Sequence, residues 1–248
     1  MRRKVGPSLI LFLIILPTLI LILFLASCTN TIDKESEVAQ KIIPEIDKGE
    51  TTGAEQNKQT EKYPWHENII ATIFWAGEEA SEENAWIAND DSTWDEQWME
   101  HFGGVDNPEG RNFIPKENPY YFALPYTDFD ENGRKQNIKK VYWYEQYQDR
   151  LTDTSFSIIK NRWAEIKNKE KDKTCYGQWE DAGPSEYDDT DYVFGTAQPK
   201  YDVGIDLSPD LAKCLGIDGK GVVSWRFVDN SEPGKWTEIV TTSKPFWG

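Results

Sequence analysis

The sequence predicts a mostly β domain with short helices and loop insertions. Three observations predict it. Runs rich in β-branched and aromatic residues recur at Asn68 to Trp75, Tyr120 to Tyr126, Cys175 to Trp179 and Val222 to Val228, and Gly, Pro, Asn or Asp punctuate the chain between them. The two clear helix signals are short. Eleven Trp, eleven Tyr and eleven Phe stand in a chain with only 38% hydrophobic residues, so ring packing must supply much of the core.

The chain begins with Met1-Arg2-Arg3-Lys4, followed by an almost wholly apolar run from Leu9 to Ala26, the pattern of an export signal over residues 1–27. A membrane-spanning helix is the competing reading, because the run is close to the length that crosses a bilayer. Thr29 to Lys62 is rich in Glu, Lys, Thr, Gln and Asp, cannot bury enough surface to fold, and reads as a flexible tether over residues 28–62. Residues 63–248 are the folded domain.

Within it, Asn68 to Trp75 is the first strand. Asp90-Asp91-Ser92-Thr93 offers several N-caps for a helix carrying Trp94, Trp98 and Phe102 at intervals of four, which Gly103-Gly104 ends. A Pro-, Gly- and Asn-rich loop leads to the strand at Tyr120 to Tyr126, and Asp128 to Gln136 reads as an exposed turn. Ile138 to Arg150 mixes rings and charges without a clear period. Phe156 to Ile159 and Arg162 to Ile166 read as strand, the latter joined as a hairpin to the strand of Cys175 and Trp179. Ser208-Pro209 caps a short helix that Gly216 stops, Val222 to Val228 is a buried strand, and Trp236 to Thr241 closes the sheet.

Charge narrows the function. Lys and Arg total 27 against 43 acids, a formal charge of −16, and without Arg2, Arg3 and Lys4 the balance is 24 against 43, or −19. Phosphate backbones are repelled, so nucleic acid is not an expected partner. His66 and His101 are the only histidines and no pair has metal-ligand spacing, so neither zinc nor another cofactor is expected. The acidic run Glu186 to Asp191 lacks a calcium-loop pattern and reads as a solvated loop.

Two carboxylates stand out, each near the end of a β-type run: Asp181 before the turn Ala182-Gly183-Pro184, and Asp206 before the helix cap at Ser208. An Asp in either place also serves simply to start a turn or fix a helix. The order Glu180-Asp181-Ala182-Gly183-Pro184, then Ile205-Asp206-Leu207-Ser208-Pro209, a helix, Leu215-Gly216-Ile217 and the strand Val222 to Val228 resembles the double-psi β-barrel of rare lipoprotein A, the barwin-like endoglucanases and the expansins. The resemblance is best from Ile158 to Val228. It implies a six-stranded barrel. Leu25-Ala26-Ser27-Cys28 resembles the lipobox of bacterial lipoproteins, which implies lipidation at Cys28 and a domain tethered to a membrane outside the cytoplasm.

The resemblance also implies a partner, peptidoglycan or another wall glycan, and a chemistry. A carboxylic acid buried beside rings holds its proton and can give it to a glycosidic oxygen, so Asp206 is the expected general acid, with Asp181 orienting it or sharing the proton. The base that barwin-like endoglucanases carry after a run resembling Ala71 to Trp75 is here Ala76, and Glu78 follows two residues on. A missing base fits a lytic transglycosylase, in which the sugar's own hydroxyl attacks. Tyr121 stands where the rare lipoprotein A pattern has His, a departure that weighs against catalysis. The alternatives are a barrel that only binds wall glycan, with Tyr121, Trp179, Trp225 or Trp75 stacking on sugars, or a protein scaffold. Cys175 and Cys214 are read as two separate buried thiols rather than a disulfide.

Overall fold

The computed structural model describes residues 62–82 and 84–242. The expected export signal, Cys28 and the tether up to residue 61 lie outside the described residues. No helix among the described residues is long and apolar enough to cross a membrane.

Six strands form a closed mixed barrel: β1 (His66–Ile73), β2 (Tyr121–Leu124), β5 (Trp163–Asn168), β6 (Lys173–Ala182), β7 (Val203–Leu207) and β8 (Gly221–Val228). The two-residue strands β3 (Phe129–Asp130) and β4 (Gly133–Arg134) make a separate hairpin. Around the barrel the order is β1-β7-β2-β6-β5-β8, closed by antiparallel pairing of β8 with β1. The β1–β7 and β2–β6 pairs are parallel, so loops and the helices α1 (Trp98–Phe102), α2 (Thr190–Val193) and α3 (Pro209–Leu215) cross between them. Rings fill the interior as the composition requires. Trp179 stacks on Phe227 and Phe122 at centroid distances of 5.7 and 6.2 Å, and Trp225 meets Phe227 edge-on at 5.0 Å.

Several expectations are met and several corrected. Ser208 caps α3 by accepting from the Leu211 amide, Pro209 takes the first turn, and Gly216 ends the helix in the left-handed region. The first helix is shorter than its Trp stripe suggested: α1 begins at Trp98, while Trp94 is buried from a preceding turn. Phe156 to Ile159 is not a strand, because side chains take its backbone groups instead of a ladder. The Ile158 amide donates to Asp128, and the Ile158 carbonyl accepts from Trp143 and Arg162. Trp236 to Thr241 does not close the barrel; it folds over the outside, where the Thr241 hydroxyl accepts from the Asn118 amide. Asp128 to Gln136 is a turn exposed at its tip, Asp130 to Asn132, where the β3–β4 hairpin reverses, but Asp128 at its start is fully buried. Ile138 to Arg150 is 3-10 in character: Gln136–Lys140 overlaps its start, and Tyr144–Arg150, kinked at Tyr147, fills its end.

The two cysteines are corrected as well: Cys175 and Cys214 form a disulfide that ties β6 to α3. The helix can approach that closely because of Gly177. A Cβ there would sit 2.8 Å from Leu211, so only a glycine lets α3 lie on the strand and bring the two Cα atoms within 6.4 Å.

Candidate active site

The site grows from one row across the sheet. Thr72 on β1 pairs with Asp206 on β7, Asp206 with Ala123 on β2, and Ala123 with Asp181 on β6. Cross-strand partners point to the same face, so all four side chains stand on one surface. Ala123 keeps the floor between the two carboxylates low. Two strand spacings put the Asp181 and Asp206 backbones roughly 9–10 Å apart.

A β-bulge makes this possible. Phe122 pairs with Trp179 and Ala123 with Asp181, so Glu180 is an extra residue on β6. Without it, residues 179 and 181 would share a face by strict alternation and Asp181 would follow Trp179 into the core. The bulge turns Asp181 outward. The displaced Glu180 is buried, and Lys160 Nζ lies 3.8 Å from it and 4.0 Å from Asp95.

The row opens into a cleft of about 950 Å³. Asp181, Asp206 and Glu78 line it, with Trp75, Ile87 and Tyr187 on its walls. Asp206 is half-buried and its Oδ1 accepts from the Thr72 hydroxyl. Gly183 passes close on the other side, where a Cβ would lie 3.8 Å from Asp206 Oδ2. Burial pushes the Asp206 carboxyl up to about 6, the Thr72 hydrogen bond opposes this, and the charge of Glu78 adds to the rise. Asp181 is buried more deeply. Its Oδ1 accepts from the backbone amides of Thr93 and Ala182, both at 2.7 Å, yet burial pushes its carboxyl up to about 7.

Glu78, which sequence left without a place, belongs to the cleft. Its Oε2 accepts from Asn89 Nδ2 at 2.9 Å, and reciprocal backbone bonds tie Gly77 and Glu78 to Asn89. Burial raises its carboxyl too, against the hydrogen bonds from Asn84 and Asn89. The signal was faint: one acid shortly after a strand end. Ile87 and Tyr187 carried no signal, since each lies in a loop that only the fold brings to the cleft.

Trp75 is half-buried on the wall. Tyr121, Trp179 and Trp225 are fully buried, so none offers a ring face for stacking on a sugar. Trp225 instead stacks on His66 at 4.0 Å, and burial lowers that imidazole to about 4. Tyr121 lies beneath the row, donating to Asp106 Oδ2 at 2.8 Å and accepting from the Ala76 amide at 2.9 Å. Burial lifts its phenol well above the ordinary range, so it is a structural post without a titrating role near neutrality. The Ser208 hydroxyl fixes the end of β7 beside Asp206, accepting from the Tyr121 and Leu211 amides and donating to the Pro119 carbonyl. Among the described residues no group of His, Cys, Asp and Glu is arranged to hold a metal ion.

Comparison with protein-family models gives no match. Comparison with curated proteins gives none either. The closed six-stranded mixed barrel is compatible with a double-psi β-barrel.

Proposed function

We propose that this domain is a double-psi β-barrel that cleaves bacterial wall glycan as a lytic transglycosylase, held at a membrane outside the cytoplasm by a lipid on Cys28. The observation that carries the reading is the shared row: Asp206 and Asp181, 25 positions apart, face one ring-walled cleft with their proton affinities raised. Asp206 is the general acid. With a pKa of about 6, a useful share of the carboxyl holds its proton near neutrality, and the same group as carboxylate then draws the proton from the attacking sugar hydroxyl. Thr72 orients it. Asp181, across the Ala123 floor, stores or returns a proton as the charge on Asp206 changes.

The test is digestion of purified sacculi by the full-length protein, with products weighed by mass spectrometry. The wild type is expected to release anhydro-muropeptides, and Asp206→Asn to release roughly a hundredfold less or lower still. Equal release by the variant would end the reading. A second reading, glycan binding without cleavage, is favoured by Tyr121, which is buried and inert where the resembled pattern has His. It predicts that the protein sediments with sacculi but leaves no soluble product.

A further inference from the structure

The cleft is lined by five carboxylates, Glu78, Asp91, Asp181, Asp206 and Asp218, and by one cation, Lys220. Elsewhere in the barrel buried acids hold arginines: Asp106 with Arg111, Asp128 with Arg134, Glu165 with Arg226. Among the described residues, none of the five cleft acids forms an ion pair with Lys or Arg. They also act on one another, since the charge of Asp91 reaches Asp181 and that of Glu78 reaches Asp206. Asp181, held at about 7, keeps much of its proton. The remaining lining acids still outnumber Lys220 and leave the half-enclosed groove negative, so it repels an anionic ligand and gains nothing electrostatic from a neutral one. It is suited to a cation.

The walls say what kind. Trp75 and Tyr187 line the groove, and aromatic side chains match the flat apolar faces of sugar rings better than an extended peptide's alternating side chains. Resting on the glycan reading above, we infer that the cleft takes an N-deacetylated amino-sugar glycan, whose free ammonium groups supply the cations that the lining acids lack. Acetylation would remove the charge and add bulk where Asp91 and Asp218 wait for a partner. These two acids, outside the proton-transfer machinery, set the preference for substrate.

The test is calorimetric titration of the full-length protein with the hexamers of glucosamine and N-acetylglucosamine, and with hexalysine, near pH 6.5 at low salt. The glucosamine hexamer is expected to bind about tenfold tighter than its acetylated counterpart, with most of the advantage gone at about 0.5 M salt. Asp91→Asn combined with Asp218→Asn is expected to shrink the advantage to about threefold or less. Equal or tighter binding of the acetylated hexamer overturns the inference and leaves the glycan reading standing. If neither hexamer binds, both fall. Hexalysine binding as tightly as the glucosamine hexamer also overturns it, because the groove would then be a general trap for polycations.

Discussion

Asp128 and Asp181 are both buried acids, and adjacent residues of one turn donate to them: Trp94 through its indole to Asp128, Thr93 through its amide to Asp181. There the likeness ends. Asp128 also holds Arg134 at 3.0 Å, the Ser157 hydroxyl and the Ile158 amide, and Arg134 in turn donates to the carbonyls of Leu151, Asp153 and Phe156. It ties the β3–β4 hairpin to the loop before β5. Asp181 holds two backbone amides and no cation, and it faces a cleft. Burial raises both carboxyls, but only at Asp128 does a guanidinium pull back. The difference separates an acid that organises the fold from one that the fold holds ready in spite of its cost in stability.

The largest effect should come from breaking the satisfied set. Arg134→Met leaves Asp128 buried without its cation and is expected to lower the urea-unfolding free energy by about 3–5 kcal/mol, while adding Asp128→Asn recovers part of the loss. A cost under about 1 kcal/mol would erase the distinction between the two acids. On the cleft side, Trp75→Ala should weaken hexamer binding by about tenfold, whereas Trp86→Ala, at a ring 73% exposed and outside the cleft lining, should leave it unchanged. Equal effects from the two would detach the cleft from ligand binding. The smallest change is a shift in pH dependence. Glu78→Gln removes a charge that raises Asp206, so the acid loses its proton sooner and the alkaline limb of the pH–rate profile moves to lower pH. A limb that stays in place would show that Glu78 does not act on Asp206.

Much of the barrel was legible because its strands are made of residues that suit a half-buried pleat. Asn68 to Trp75, Tyr120 to Tyr126 and Val222 to Val228 each contain or overlap a barrel strand, and Ser208-Pro209 with Gly216 bounds α3. The acids at 181 and 206 could be singled out, but their shared face could not. It depends on the bulge at Glu180 and on β2 lying between β6 and β7, neither of which spacing along the chain encodes. The roles of the rings are hidden in the sequence for a related reason. Trp75, Tyr121, Trp179 and Trp225 look alike in sequence, and only barrel closure decides which faces inward. Phe156 to Ile159 has strand composition, yet the carboxylate of Asp128 and the donors Trp143 and Arg162 outcompete a ladder for its backbone groups.

The most direct test of the account is the pH dependence of unfolding for the wild type and Asp181→Asn. An Asp held at about 7 in the fold, against an ordinary value of 3.8, binds its proton more tightly folded than unfolded. Its presence therefore costs nothing at pH 3 and progressively destabilises the wild type as pH rises from about 4 to 7. Asparagine keeps the acceptor for the Thr93 and Ala182 amides and carries no charge. The account predicts that the variant's stability relative to the wild type climbs through that window and levels off above it, by roughly 3–4 kcal/mol. A difference that stays constant from pH 4 to 8 would contradict it, showing that Asp181 binds its proton no more tightly in the fold than in the unfolded chain.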